Sequence, residues 1–140
     1  MNEVMTLLTS VSGHALVKSF RGPDVIQQPF STGKLFNVSE ESVSDLQSLS
    51  ALLHRLESDP THTAIKGSLT DGQTNPVPRN KETFIATPRQ WCMIDIDSLA
   101  WDGDLSDQQA MLSYATQQLP VEFQSVDFWY HFSSSMGIKS

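Results

Sequence analysis

Asp95 and Asp97 stand one residue apart at the end of the apolar stretch Trp91-Cys92-Met93-Ile94. Val, Ile and aromatic residues favour strands, and side chains on a strand alternate between its two faces. A short buried strand over 91–97 therefore puts Ile94 and Ile96 on the core face with Cys92 packed beside them, and both aspartates on the other. Carboxylates spaced i, i+2 on a strand lie roughly 6–7 Å apart at Cα, close enough for both to reach one cation. At the edge of a low-dielectric core they repel each other unless something positive compensates. The chemistry this implies is a divalent-metal site of hard oxygen ligands for Mg²⁺ or Mn²⁺. A strand that has simply reached solvent, where Asp begins a turn, is the plainer alternative, and D-x-D is a short and common pattern.

The second chemically suggestive stretch is Ser133-Ser134-Ser135-Met136-Gly137-Ile138-Lys139. Three hydroxyls, a glycine that permits close backbone approach and one ammonium suit a bound phosphate. A polar chain end without a ligand is the ordinary alternative. His131 lies two residues upstream, on the face shared by Trp129 and Ser133 if 126–132 is the aromatic strand that its composition suggests. A lone strand histidine is more often a hydrogen-bonded bystander than a base. Gly33-Lys34 does not make a phosphate loop, because Gln28 and Leu35 occupy the positions where that motif needs Gly and Ser or Thr.

Two helices and several strands must position these groups. Residues 42–57 form the clearest helix, with Val43, Leu46, Leu49, Leu53 and Leu56 as one apolar stripe and Ser42 with Asp45 as its capping box. Asp59-Pro60 stops it, and His54, off the stripe, reads as a surface histidine. A second helix runs over 106–119, started by Ser106 and Gln109 and ended by Pro120. Strands are expected over 14–20, 34–38, 63–69 and 81–86, with a turn at 21–24. Residues 70–80, with one glycine and two prolines, form a loop, and residues 1–12 look frayed.

The sequence has 140 residues, so a single domain with an ordinary core is expected. No apolar run approaches the ~18–20 residues of a membrane-spanning helix. Residues 1–12 carry Glu3 and no basic residue, unlike the start of a secretory signal. One cysteine excludes an internal disulfide and a cysteine-rich zinc site, and a cytoplasmic setting is the default. A net charge of −7 opposes a simple nucleic-acid binder, though an enzyme that meets nucleic acid through a local patch is compatible with it.

In their order, the strand ending Ile94-Asp95-Ile96-Asp97, the helix, and the aromatic strand running into the serine segment resemble the archaeo-eukaryotic primase superfamily. The closer likeness is to primase-polymerases of phages, plasmids and integrated elements. The resemblance covers roughly residues 14–140, and its two motifs are short. It implies an α+β fold, a mixed sheet with an RRM-like core flanked by helices, and the catalytic region of a template-directed nucleotidyltransferase. By the same resemblance Asp95 and Asp97 match the catalytic, metal-holding D-x-D. Ser133, Ser134, Ser135, Gly137 and Lys139 look like the nucleotide-binding motif, with His131 beside it. Lys66-Gly67 stands where Arg-Gly is more usual, a change that keeps the charge. The implied partners are nucleoside triphosphates, a single-stranded DNA template and a helicase domain or protein. Lys18, Arg21, Lys34, Arg79, Lys81 and Arg89 are the cations available to a template. The family's third motif, a later carboxylate, has no counterpart in these residues, so this chain by itself is expected to lack a complete active site.

Two other classes remain open on the sequence. One is a nucleotide-sugar glycosyltransferase, in which a D-x-D also holds a metal against a diphosphate. The other is a non-catalytic module that binds DNA or a protein partner.

Overall fold

The segment expected to fray is the centre of the sheet. Glu3–Ser10 forms strand β1, with Met5, Thr6, Leu7 and Leu8 all buried. A strand covered on both faces shows a continuous buried run instead of alternation, which is why the period-two signal is missing here. In the computed structural model, residues 3–21, 26–27, 33–97 and 99–132 are described.

The chain then makes β2 (Phe20–Arg21), β3 (Ile26–Gln27), β4 (Leu35–Val43), helix α1 (Leu46–Glu57), β5 (His62–Ile65), β6 (Ser68–Leu69), β7 (Val77–Pro78), β8 (Phe84–Ile85) and helix α2 (Gln108–Gln117). Four strands form one sheet in the order β5-β1-β4-β7, and β2-β3 and β6-β8 are separate short pairs. Every ladder among the described residues is antiparallel, where a mixed sheet was expected. The architecture is α+β, a four-stranded antiparallel sheet with two helices.

Antiparallel register puts paired residues on one face. Glu3 faces Val43 and Leu7 faces Ala64, so Met5, Leu7, Val43 and Ala64 share the face that receives α1 through Leu49, Leu52 and Leu56. On the opposite face Ser10 pairs with Phe36 and Phe36 with Val77, both apolar partners buried. Burying each such Leu, Val or Phe side chain contributes about 1.5–3 kcal/mol, so β1 is secured from both sides.

Helix α1 starts later than the apolar stripe suggested. Ser42 and Val43 complete β4, and Asp45 is the N-cap; its carboxylate accepts from Ser48 N at 2.7 Å while Ser48 Oγ accepts from Asp45 N at 3.1 Å. The capping box is thus Asp45 with Ser48, not Ser42 with Asp45. Helix α2 likewise starts from Asp107, whose carboxylate accepts from Ala110 N, and not from Ser106. The expected strands over 14–20 and 81–86 shrink to Phe20–Arg21 and Phe84–Ile85, and Lys66-Gly67 breaks the third between β5 and β6.

The 70–80 loop is tied to the sheet. Val77 is buried in β7, and the Asn75 side chain bonds both Val38 N and Val38 O at 2.9 Å. Most of the expected turn at 21–24 lies outside the described residues. No helix among the described residues is long and apolar enough to cross a membrane.

Candidate functional site

Trp91 is the point at which the D-x-D segment touches the rest of the protein. Its half-buried ring packs against the core cluster of Met5, Leu7, Val43 and Leu52, on the α1 side of the sheet. One residue earlier, Gln90 N donates to Glu3 Oε1 at 3.3 Å, which fixes the segment beside the start of β1.

Beyond Trp91 the expected strand does not form. Residues 92–97 pair with no strand among the described residues and are exposed, with Met93 81% accessible and Ile94 and Ile96 46% and 43%. Cys92 is exposed too, which corrects its assignment to the core. The physical reason is that Trp91 alone supplies the apolar anchor, while β5 and β7 already flank β1 and β4. Asp95 and Asp97 therefore stand in water and not at the edge of a low-dielectric core. Solvent screens their mutual repulsion, and no compensating cation is required to hold the fold.

No group of three His, Cys, Asp or Glu side chains suited to a metal ion occurs among the described residues. Two carboxylates remain a chemically adequate donor set for Mg²⁺, which keeps several waters and is held through one or two carboxylates plus substrate phosphates.

The aromatic stretch 126–132 is not a strand either, yet its alternation survives locally. The rings of Trp129 and His131 stack in parallel, centroids 5.8 Å apart. His131 Nδ1 lies 2.7 Å from Glu57 Oε1, and His54 Nδ1 lies 2.9 Å from Glu57 Oε2. A carboxylate only accepts, so both imidazoles donate from Nδ1 to Glu57, and Nε2 is in each case the nitrogen not bonded to it. His54 also meets Trp129 edge-on, at 6.0 Å between centroids.

These groups line a cleft of ≈ 440 Å³ between α1 and residues 128–132. Glu57 is held below the usual carboxylate range, first by the hydrogen bond from His54 and then by that from His131. The arrangement presents two oriented Nε2 atoms, each able to accept a proton or, once protonated, to donate to an anion.

His131 was expected as a minor contact beside the serines, whereas the cluster around it was missed. The signal was available in part. His54 and Glu57 sit at i, i+3 on one helix face, a spacing at which side chains meet. Nothing local connected them to Trp129 and His131, more than seventy residues away. Ser133, Ser134, Ser135, Gly137 and Lys139 lie outside the described residues. Among the described residues no hydrogen bond or ion pair draws Asp95 or Asp97 into the His54–Glu57–His131 cluster; what the two segments share is α1, through Trp91 on its apolar side and His131 on its last turn.

No family model matches the chain, and no curated protein or solved structure matches it.

Proposed function

We propose that the chain is the metal- and nucleotide-binding part of a primase-polymerase, acting in template-directed nucleotidyl transfer. The observation that supports this most is the common anchorage of the two motif-bearing segments. Trp91, four residues before Asp95, packs on the core that α1 completes, and His131, two residues before Ser133, bonds Glu57 on the same helix. Trp91 and His131, 40 residues apart in sequence, thereby both meet one helix. Asp95 and Asp97 would hold Mg²⁺ or Mn²⁺. The ion supplies neutralisation of triphosphate and pyrophosphate charge. The serine segment and Lys139 would bind the phosphates, and His131 would present Nε2 toward them.

A second reading, a module that binds a partner without catalysis, draws on the exposure of Met93, Ile94 and Ile96 along a segment outside the sheet. The two readings differ in metal dependence. Thermal unfolding is measured with Mn²⁺, with and without a deoxynucleoside triphosphate, for the wild type and for Asp95→Asn/Asp97→Asn. A ligand bound only by the folded state raises the midpoint. The polymerase reading requires a rise in the wild type that the double variant lacks. Equal responses from both proteins favour the binding module.

A further inference from the structure

A second cleft, of ≈ 360 Å³, opens between the turn from β5 to β6 and the segment leading into β8. Gly67, Phe84 and Ile85 form its walls, and Arg79 and Lys81 stand at its edge. From this cleft we infer a binding site for the phosphodiester backbone of a single-stranded nucleic acid, with Arg79 and Lys81 as the phosphate contacts and Phe84 as the base platform.

Charge is the first support. Arg79 and Lys81 are exposed, and neither pairs with a carboxylate among the described residues; the one Lys or Arg that does is Arg55, on Glu41. In a protein of net charge −7, two such cations beside one cleft are a local patch against the overall field.

Rigidity is the second. Asn80 Oδ1 accepts from Glu82 N at 3.0 Å, Thr83 N at 2.9 Å and Thr83 Oγ1 at 2.9 Å, and Thr83 is buried. That set of bonds fixes the backbone on which Arg79 and Lys81 flank Asn80. Glu82 is the nearest acid in sequence, and it follows Lys81 directly.

Shape is the third. Arg89 donates to Lys66 O and to Ser68 Oγ, pinning the opposite wall, so this cation is structural and not a free phosphate contact. A side chain at Gly67 would place Cβ 2.8 Å from Ile85 O, so the glycine lets the two walls approach. Half-exposed Phe84 and exposed Ile85 offer apolar surface to bases, the combination of stacking platform and flanking cations that single strands use.

The cleft rests on its own geometry, while its assignment to a template strand rests on the polymerase reading. The test is fluorescence anisotropy of a labelled oligothymidine titrated with the full chain over a range of KCl concentrations. Arg79→Gln/Lys81→Gln is expected to weaken binding by about tenfold. It should also lower the slope of log K against log [KCl] by about 1.4, since each lost phosphate contact removes about 0.7 on a single strand. Arg79→Lys/Lys81→Arg, which keeps both charges, should bind within about threefold of wild type. Arg55→Gln, which removes one charge elsewhere, should leave the slope unchanged.

No binding by the wild type, an unchanged slope in the double variant, or an equal loss in Arg55→Gln and Lys81→Gln overturns the assignment. Displacement of the oligonucleotide by a deoxynucleoside triphosphate at matched phosphate concentration overturns it as well, in favour of a free nucleotide. Asp95→Asn/Asp97→Asn is titrated in parallel without metal. Retained oligonucleotide binding supports the cleft, and if Mn²⁺ and triphosphate also fail to stabilise the wild type, the cleft stands while the polymerase reading falls.

Discussion

His131 Nδ1 lies 2.7 Å from Glu57 Oε1, so the residue two positions before the serine run is held on the last turn of α1, 74 residues earlier. With His54 on the other oxygen, a single carboxylate orders two imidazoles and, through them, the Trp129 ring. Each pair is part-exposed, so its contribution to stability is modest, and its consequence is positional.

The acid limb of stability follows from this carboxylate and three others. Glu57 is lowered by its bonds from His54 and His131, Asp45 by the Ser48 N–H, Asp59 by the Thr61 hydroxyl and Asp104 by the Ser106 N–H. A carboxylate depressed in the folded state stabilises above its unfolded pKa, and that stabilisation disappears as pH falls through the folded value. Unfolded Asp and Glu titrate near ~4, so the midpoint should hold steady from these groups at neutral pH and drop below about pH 4. Glu57→Gln should drop less steeply over that range. Parallel curves for variant and wild type, from thermal unfolding between pH 2 and 6, would show that the bridging carboxylate contributes nothing to the limb.

Thr6 is fully buried at the centre of β1, and its hydroxyl has no hydrogen-bond partner among the described residues. Thr6→Val replaces that hydroxyl with a methyl of similar size and keeps the β-branch. Removing an unsatisfied buried hydroxyl relieves a desolvation cost of about 1–3 kcal/mol. The variant should unfold at a midpoint higher by about 3–10 °C. A lower midpoint would mean that the hydroxyl is bonded in solution.

Legibility from the sequence tracked how local each determinant was. The body of α1 was plain because Leu49 and Leu56 recur at helical spacing. Its start was misplaced because Ser42 and Asp45 imitate a capping box three residues before the real one. The strand β1 was unreadable because Met5, Thr6, Leu7 and Leu8 are all buried, leaving no alternation to detect. At 91–97 the opposite happened: Ile94 and Ile96 alternate well, yet no sheet edge receives them. Composition stated a strand preference, and tertiary context decided against it. The His131–Glu57 contact belongs to the same class, since it depends on where α1 is docked and not on any neighbour in sequence.

Trp91 separates anchorage from chemistry. Its ring packs on the core, while its Nε1–H is buried without a hydrogen-bond partner among the described residues. Trp91→Phe keeps apolar contact and removes the orphan donor, so its stability should equal or exceed the wild type. Trp91→Ala should cost about 2–3 kcal/mol, just under the roughly 3–5 kcal/mol of a fully buried large aromatic, because the ring is only half-buried. If the segment positions Asp95 and Asp97, Trp91→Ala should also diminish the Mn²⁺–triphosphate shift at a temperature where the protein remains folded. A full shift in Trp91→Ala would mean that the aspartates work without this anchor.

Gly67 and Gly72 distinguish a steric wall from backbone strain. At Gly67 a Cβ would meet Ile85 O at 2.8 Å, and backbone cannot swing aside as a side chain would. Gly72 has φ +80° with nothing within 4 Å of a Cβ, so alanine there strains the backbone without touching a neighbour. Gly67→Ala should destabilise by about 1–3 kcal/mol through overpacking, and Gly72→Ala by about 1–2 kcal/mol through the left-handed conformation. Urea unfolding should thus report comparable losses. Oligonucleotide anisotropy should not: Gly67→Ala pushes apart β6 and β8, the latter being the Phe84–Ile85 wall, and binding should weaken severalfold, whereas Gly72→Ala should bind as the wild type does. Equal binding by both variants would place the strand away from this cleft, because a contact site cannot be indifferent to the displacement of its own wall.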